Sequence, residues 1–422
     1  KAARERLWEP LRLAAGFLVV PHNASRDSFR GSRPGTSDYP PRAASPAREL
    51  LRMLVGSQDW ADVWLAGELW LELDLPKELP DAWKKLKGSL QGRLVELIQR
   101  GGLVPFERAA AGRALGHVGD PRRGVAPLMP PTPDRAFLDW CEVPPTKDFQ
   151  QGGDPGAYGG EQGIRHASLP RFWMARYPVT NAQYDGFEAS DYFRRHALPR
   201  RDQSDARFLA PNQPAVNVSW HEAWHFCRWL TEAVHAGTVS LRDGQGAIDH
   251  PLSWAGLGLP AELDQAPKNW RLTLPPEALW ERAARQTDGR IVPWRAGGDH
   301  SPLSDEELTQ HGNWIGTGIG STSAVGLFPN PAPPDLALDL IGNVWEWTAT
   351  RWTTRPLALH SQWASEDADL HSKDQRVLRG GSWGAPFYPD GLRAAFRNRL
   401  GPVARGRVLF FERVFWWIIG RF

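Results

Sequence analysis

The sequence predicts a chain in two parts, a helical segment followed by a compact, turn-rich domain with little regular structure. Apolar residues recur at helical spacing up to about residue 123, with glycine or proline between the segments. A proline-rich stretch at residues 127–133 then interrupts every regular pattern. Beyond it, short β-like runs alternate with clusters of glycine, proline and asparagine. We therefore expect a helical, solenoid-like segment over residues 1–126, a linker over 127–136 and a second domain over 137–422.

Composition and charge exclude several classes of protein. A chain of 422 residues with 41% hydrophobic and 23% charged residues is too apolar for disorder and long enough for two or three domains. Its formal net charge of +2 produces no whole-molecule field that would attract nucleic acid or an anionic membrane. The 22 tryptophans, against 6 tyrosines, predict stacked aromatic packing or an aromatic binding surface.

Cysteine usage and the N-terminal stretch bear on location. Cys141 and Cys227 are the only cysteines, which excludes a disulfide scaffold and fits a reducing compartment, so we expect a cytoplasmic protein. The apolar stretch at residues 13–20 is too short to span a bilayer, and we expect no membrane partner. The chain begins at Lys1 rather than methionine, so we expect it to be a piece of a longer protein.

The helical segment is expected to form hairpins that stack on one another. Residues 94–98 and 109–115 carry apolar residues at helical spacing, and a glycine- and proline-containing turn follows at residues 119–122. A single hairpin cannot bury its apolar face alone, so such units stack as in a solenoid. The period is too irregular to fix the number of hairpins.

Two helices are predicted in the second domain. Ser219 and Glu222 have the spacing of a capping box, and Ala223, Phe226, Cys227 and Leu230 then form a buried stripe. The second helix begins at residues 275–277, where two prolines precede a glutamate in the first turn.

Five motifs in this domain resemble a known family. They occur in the order found in the formylglycine-generating enzymes, also called sulfatase-modifying factors, over roughly 210 residues. The motifs are Phe172-Trp-Met-Ala-Arg-Tyr-Pro-Val-Thr-Asn181, Pro214-Ala-Val-Asn-Val-Ser-Trp220, Arg271-Leu-Thr-Leu-Pro275 with Trp280-Glu-Arg-Ala-Ala-Arg285, Gly342-Asn-Val-Trp-Glu-Trp347 and Arg379-Gly-Gly-Ser-Trp383. The resemblance implies an α+β, C-type-lectin-like domain with little regular structure.

The resemblance also bears on catalysis. The oxidases of this family use a cysteine pair a few residues after the Gly-Gly-Ser motif, because thiolates hold copper and engage the substrate thiol. Residues 384–393 contain no sulfur here, so we expect no copper and no enzyme activity. Another branch of the family uses histidine-held iron, and the leading helices here lack an obvious multi-histidine pattern. The alternative stays open that the chain is an oxidase or another metal-dependent enzyme of this fold.

The C-terminal region resembles the variable proteins of bacterial diversity-generating retroelements. Residues 379–383 followed by Leu392-Arg-Ala-Ala-Phe-Arg-Asn-Arg399 and Pro402 carry this resemblance, which implies a variable ligand-binding region at about 379–422. The closing Gly-Phe-Arg usual in that pattern is replaced by residues 409–411. By register, the candidate variable positions are Gly384, Ala385, Phe387, Leu400, Gly401, Val403, Ala404, Gly406, Arg407 and Val408.

The helical segment resembles the tails of NACHT-type signalling ATPases. Residues 8–16 and 115–122 carry this resemblance, which implies fusion to an upstream ATPase. No Gly-x-x-x-x-Gly-Lys-Ser/Thr loop occurs in the chain, so the nucleotide site would lie upstream of it.

Two patterns raise the question of a metal. His221-Glu-Ala-Trp-His225 matches a zinc-protease motif, but Glu222 is accounted for by the capping box and Thr231 stands where a third histidine would be. The resemblance aligns Asp339, Gly342, Val344 and Glu346 with a calcium site, a set of carboxylates and carbonyls that suits a hard cation. The alternative is that Glu346 accepts from backbone amides and Asp339 caps a turn.

The last 47 residues are basic and aromatic. Phosphate contacts and stacking could bind nucleic acid there, but we expect several arginines to be structural, lying over tryptophan faces or bridging loops. The region contains two acidic residues against nine arginines, namely Arg376, Arg379, Arg393, Arg397, Arg399, Arg405, Arg407, Arg413 and Arg421. We expect a receptor-type protein that binds a protein ligand without converting it.

Overall fold

The computed structural model describes the chain from Ser45 onward, with gaps. The described residues are 45–73, 75, 79–125, 137–154, 157–159, 161–162, 165–243, 246–260, 263–264, 270–328, 336–355, 370–384, 389–405, 413–415 and 418–421. The chain forms two compact units, Lys1–Asp120 and Pro121–Phe422. The linker predicted at residues 127–136 lies outside the described residues.

The described part of the first unit consists of helices. These are α1 (Ser45–Gly56), α2 (Trp60–Glu72), α3 (Asp81–Gln99) and α4 (Pro105–Val118). Helix α2 packs against α1, α3 and α4. A Cβ atom at Gly67 of α2 would lie 3.0 Å from the Cβ of Ala114 in α4, so small residues permit this close approach. The predicted helical segment is confirmed for these residues.

The second unit combines small sheets with short helices, as the predicted fold class requires. Its strands are β1 (Trp140–Val143), β2 (Thr146–Gln151), β3 (Arg165–Leu169), β4 (Phe172–Ala175), β5 (Thr238–Asp243), β6 (Gly246–Pro251), β7 (Trp270–Thr273), β8 (Trp345–Arg351), β9 (Arg376–Arg379), β10 (Asn398–Leu400), β11 (Arg413–Phe415) and β12 (Ile418–Arg421). Two sheets have four strands each, in the orders β1-β4-β12-β7 and β10-β9-β8-β11. Strands β2 with β3 and β5 with β6 form two-stranded sheets.

The end of the chain belongs to both four-stranded sheets. Strand β12 pairs antiparallel with β4 and β7, and β11 pairs in parallel with β8. The predicted variable region at about 379–422 therefore includes backbone that completes the fold.

The second unit contains more helices than the two predicted. These are α5 (Asn181–Glu188), α6 (Asp191–Arg195), α7 (Trp220–Ala236), α8 (Glu277–Arg285) and α9 (Asp305–His311). Helices α7 and α8 are those predicted, and Ser219 and Glu222 form the expected capping box. The expectation of two helices was too low because α5, α6 and α9 have 8, 5 and 7 residues, too few for a periodic apolar pattern.

Tryptophans fill the core of the second unit. Trp220, Trp280, Trp345 and Trp347 are among its largest fully buried side chains. Trp220 Nε1 donates to the Thr348 carbonyl over 2.9 Å, and Trp347 Nε1 donates to the Val218 carbonyl over 3.0 Å. These two bonds join α7 and the residue before its N-cap to β8, and they satisfy the polar atom of each indole. Among the described residues, no helix is long and apolar enough to cross a membrane.

Candidate functional site

The residues after β9 are held by a buried group of charged side chains. We call this group the ion network; its members are Asp154, Glu161, Glu277, Glu281, Arg285, Arg379, Arg393 and Arg397, each at most 6% exposed. Four arginines face four carboxylates, so the charges balance inside the protein. Buried ion pairs of this kind are costly to break, because a lost partner leaves an uncompensated buried charge.

Two acids of helix α8 anchor the centre of the ion network. Glu281 binds Arg379, and it accepts from Arg285 over 2.9 Å and from the Gly152 backbone amide over 2.7 Å. Glu277 accepts from Arg397 Nη2 over 2.9 Å. Burial acts to raise the pKa of Glu281, but Arg379 and Arg285 outweigh it and hold the pKa below its ordinary value. Glu281 is therefore ionised at neutral pH.

The other two acids clamp Arg393. Its guanidinium donates to Glu161 over 2.9 Å and to Asp154 over 3.3 Å, and Asp154 also pairs with Arg285 at 2.6 Å. Burial raises the pKa of Asp154 above its ordinary value. Residues that precede β3 in the chain thus hold Arg393, which lies between β9 and β10.

Further arginines of the basic tail also have structural contacts. The guanidinium of Arg376 lies 4.0 Å from the Trp220 ring centroid and donates to the Ala349 carbonyl over 3.0 Å. Arg399 stacks on Trp352 at 4.9 Å. The expectation that several of these arginines are structural is confirmed. Arg407 and the side chains of Arg413 and Arg421 lie outside what the structure describes.

A short segment begins at the last residue of β10, and we call its residues 400–405 the arch. The Trp220 backbone amide donates to the Pro402 carbonyl over 3.1 Å. Arg405 binds Glu222 and donates to the Pro199 and Arg200 carbonyls over 2.7 and 2.8 Å. Between these anchors, Val403 is 73% exposed. The arch is thus fixed to the first turn of α7 at two points while its middle side chain faces solvent.

The described candidate variable positions fall into three groups. Gly384 is buried, Leu400, Gly401 and Ala404 are half-buried, and Val403 is exposed. A Cβ atom at Gly401 would meet nothing within 4 Å, so this position accepts a side chain. The remaining candidates, Ala385, Phe387, Gly406, Arg407 and Val408, lie outside the described residues.

The calcium candidates already have partners within the protein. Asp339 Oδ2 accepts from the Gly326 amide over 2.6 Å, and Glu346, on β8, accepts from Trp280 Nε1. The Gly342 carbonyl accepts from the Val344 amide over 2.7 Å, and the Val344 side chain is buried. Burial raises the pKa of Asp339 to about 6. A cation would have to share these carboxylates with Gly326 and Trp280, and the calcium site stays a prediction.

The zinc-protease pattern and the cysteines lie in structural surroundings. Glu222 accepts from the Ser219 amide over 2.9 Å and binds Arg405, so its carboxylate is used by the cap and the arch. Cys141 and Cys227 are buried, and burial raises the pKa of the Cys227 thiol. Among the described residues, no three or more His, Cys, Asp or Glu side chains come together in a group that could hold a metal ion.

Sequence reasoning did not find the partners of the tail arginines. Glu277, Glu281 and Arg285 follow one another at spacings of four residues on α8, which was a local signal for one face of the helix. Asp154 and Arg393 are 239 residues apart, and their contact has no local signal. The pairing of Glu222 with Arg405 spans 183 residues in the same way.

The motifs and the fold together define the class of protein. The chain belongs to the family of the sulfatase-modifying factor enzyme 1-like domain, whose family model matches residues 145–412. The family predicted from the motifs is therefore confirmed.

The relatives of known name include enzymes and an inactive homologue. The chain is 27% identical to the hercynine oxygenase of Mycolicibacterium thermoresistibile over 60% of this chain and 52% of that protein. It is 29% identical to the formylglycine-generating enzyme of Thermomonospora curvata, over 57% and 80%. It is 26% identical to the inactive C-alpha-formylglycine-generating enzyme 2 of Bos taurus, over 56% and 73%. The chain thus spans about half the length of the hercynine oxygenase.

Among solved structures, the chain is similar to Treponema denticola variable protein 1. The TM-score is 0.42 at 19% sequence identity, and the alignment covers 67% of this chain and 95% of the other.

Proposed function

We propose that the second unit is a non-catalytic binding module that recognises protein ligands through the arch and the other candidate variable positions. The observation that carries this proposal is the fixing of the arch at Pro402 and Arg405, with Val403 73% exposed between them. A loop held by a rigid support presents side chains without a large ordering cost on binding. The side chain at position 403 can therefore be replaced while the anchors at Pro402 and Arg405 stay the same.

The ion network gives a second argument for the same proposal. It holds Arg379, Arg393 and Arg397 by charge-assisted bonds, and in the described part of the chain none of these bonds involves a candidate variable side chain. Substitutions in the arch therefore leave these bonds intact. A diversified surface needs this separation between positions that stabilise the domain and positions that contact a ligand.

A display library tests the proposal. In this library, which we call the arch library, all ten candidate variable positions are randomised together: Gly384, Ala385, Phe387, Leu400, Gly401, Val403, Ala404, Gly406, Arg407 and Val408. Its members would be selected against several unrelated folded proteins. We expect folded members that bind different targets with micromolar or tighter dissociation constants, a range typical of specific protein interfaces. A matched library would vary exposed positions away from the arch, such as Tyr158, Ile248 and Ile315, which are 52%, 46% and 59% exposed.

Binding from the matched library alone would contradict the proposal, and so would loss of folding throughout the arch library. Two readouts would measure folding in each library member. Detection of a conformation-independent tag would show that the member is displayed, and resistance to proteolysis would show that it is folded. This pair of readouts separates failure to fold from failure to bind.

The family relatives favour an enzyme as the second candidate function, an oxidase or another metal-dependent enzyme of this fold. Residues 384–393 contain no sulfur, and the thiols of Cys141 and Cys227 are buried. We expect the chain, mixed with copper and a cysteine-containing peptide, to consume no more oxygen than copper and peptide without protein. Oxygen consumption that requires the protein would favour the enzyme. The cytoplasmic location remains a proposal that follows from the cysteine usage, and the upstream ATPase remains one that follows from the resemblance of the helical segment.

A further inference from the structure

Two histidines from different helices meet on the surface of the second unit. His196 follows the last residue of α6, and His225 lies in α7. Their ring centroids are 5.3 Å apart, and the ring planes are inclined by 52°. His196 is exposed and His225 is half-buried, so the pair borders solvent.

One residue orients both imidazoles. His196 Nδ1 lies 2.9 Å from the Tyr192 carbonyl oxygen, and the His196 ring stacks on the Tyr192 ring at 4.0 Å. His225 Nδ1 lies 3.1 Å from the Tyr192 hydroxyl. A carbonyl accepts only from an N–H, so His196 carries its proton on Nδ1 and has a lone pair on Nε2. This is the arrangement found behind metal-binding histidines, where the second ring nitrogen donates to a carbonyl or another acceptor.

The separation of the rings suits one shared ion. For two rings that each point Nε2 at one metal ion, with bonds of about 2.05 Å and an angle of about 109° between them, the ring centroids are about 5.2 Å apart. The observed separation is 5.3 Å. Water would supply the remaining ligands, because no third His, Cys, Asp or Glu joins the pair among the described residues.

We propose that His196 and His225 form a binding site for a divalent transition-metal ion of the Ni²⁺, Cu²⁺ or Zn²⁺ class. Imidazole nitrogen suits these ions better than it suits the hard cations Ca²⁺ and Mg²⁺. This site is independent of the proposed protein-binding function, since neither histidine belongs to the arch.

Two of the three arginines near the pair are paired with acids. Arg228, one turn after His225, pairs with Glu232 at 2.8 Å, and Arg194 pairs with Asp191 at 3.1 Å. Arg195 is exposed on the same short helix as Arg194.

The pair differs from the one that the zinc-protease pattern suggests. His221 and His225 are four residues apart on α7, but the hydroxyl that holds His225 belongs to Tyr192 of α6. The pKa of His221 is lowered by burial and by the nearby Arg376 and His371. The partner of His225 is thus a residue from outside the motif, and no spacing in the sequence indicates it.

Calorimetric titration of the purified chain with Ni²⁺ at pH 7.5 tests the site. We expect one equivalent of ion to bind with a micromolar dissociation constant, and His196→Ala and His225→Ala each to weaken binding at least tenfold. The substitution Tyr192→Phe removes the hydroxyl that holds His225, so it should weaken binding less than His225→Ala does. The substitutions His166→Ala and His300→Ala, at exposed histidines away from the pair, are the matched controls.

Unchanged Ni²⁺ affinity in His196→Ala would overturn the site, because this exposed side chain can be removed without disturbing the core. A wild-type affinity equal to that of the double variant at 196 and 225 would overturn it as well. Electron paramagnetic resonance of bound Cu²⁺ gives a second readout. It should show two coordinated nitrogens in the wild type and one in either single variant.

Discussion

The ion network and the arch hold neighbouring parts of one C-terminal region, but their side chains have opposite surroundings. In the ion network, Arg379, Arg393 and Arg397 are buried and paired with acids from distant parts of the chain. In the arch, the main anchors are a backbone carbonyl and Arg405, while Val403 faces solvent. The difference teaches that resistance to substitution can change within a few residues along the chain, according to whether a side chain is buried and paired or faces solvent.

Removing an arginine from the ion network should have the largest effect on stability. Arg379→Met leaves Glu281 and its neighbour Glu277 short of a buried positive charge. We expect the free energy of unfolding to fall by about 3–5 kcal/mol, measured by urea denaturation. The matched control is Arg399→Met, an exposed arginine two residues beyond the network, which should cost less than about 1 kcal/mol. Equal losses of unfolding free energy in the two variants would contradict the distinction between buried, paired side chains and exposed ones.

Loss of the arginine that anchors the arch should have an intermediate effect. Arg405→Ala removes bonds to Glu222 and to the Pro199 and Arg200 carbonyls, but Glu222 keeps its role in the helix cap. We expect a loss of about 1.5–3 kcal/mol, the usual worth of a hydrogen bond to a charged group. Amide hydrogen exchange should also become faster in the arch and stay unchanged at β9. Faster exchange at β9 would show that the two regions are not separately held.

Calcium should stabilise the domain if the carboxylates of Asp339 and Glu346 accept it. At a free Ca²⁺ concentration tenfold above its dissociation constant, the free energy of unfolding should rise by about 1.4 kcal/mol. Asp339→Asn should abolish the rise, whereas Asp81→Asn, at a fully exposed carboxylate, should leave it intact. A melting temperature that does not change on addition of millimolar Ca²⁺ would contradict the predicted calcium site.

The pH dependence of stability should report the burial of His225. Its pKa in the folded protein, about 4, lies below the ordinary value of 6.5, so the unfolded chain takes up the proton first as the pH falls. Stability should therefore decrease between pH 6.5 and pH 4 and gain nothing from this group above pH 6.5. In His225→Gln that decrease should be smaller, by on the order of 1 kcal/mol for a partly exposed ring. The comparison would be made by urea denaturation at pH 7.5 and 5.0 without added metal, with His300→Gln as control; identical pH profiles would contradict it.

Substitutions at the middle of the arch should have the smallest effect. Val403→Ala, Val403→Thr and Val403→Lys should each change the free energy of unfolding by less than about 0.5 kcal/mol, because the side chain is exposed. Thermal denaturation by circular dichroism measures this. A loss of unfolding free energy above about 2 kcal/mol in any of the three would mean that the Val403 side chain stabilises the domain.

The sequence predicted those features whose signals are local. The capping box at Ser219 and Glu222 and the prolines before Glu277 correctly located α7 and α8. The Gly-Asn-Val-Trp-Glu-Trp motif forms a turn followed by β8. Gly342 in that turn has a φ of +80°, and its Cα lies too close to Asn313 for a side chain to fit. Such short-range requirements leave a recognisable pattern, which is why the motifs identified the family.

The features that escaped prediction depend on contacts across the fold. The acids that hold Arg393 and Arg397 precede them by 232 and 120 residues, and charged residues at such distances give no periodic pattern. The meeting of His196 with His225 depends on how α6 packs beside α7. The exposure of Val403 likewise depends on the two anchors of the arch, which connect it to α7 and to residues 199–200.

Hydrogen–deuterium exchange on a complex between a member of the arch library and its selected target tests the central claim most directly. We expect target binding to slow exchange in peptides that cover the arch, and to leave peptides around Ile315 and Arg379 unchanged. Protection confined to Ile315 or another surface, with the arch unaffected, would contradict the claim that the arch is the ligand-binding surface.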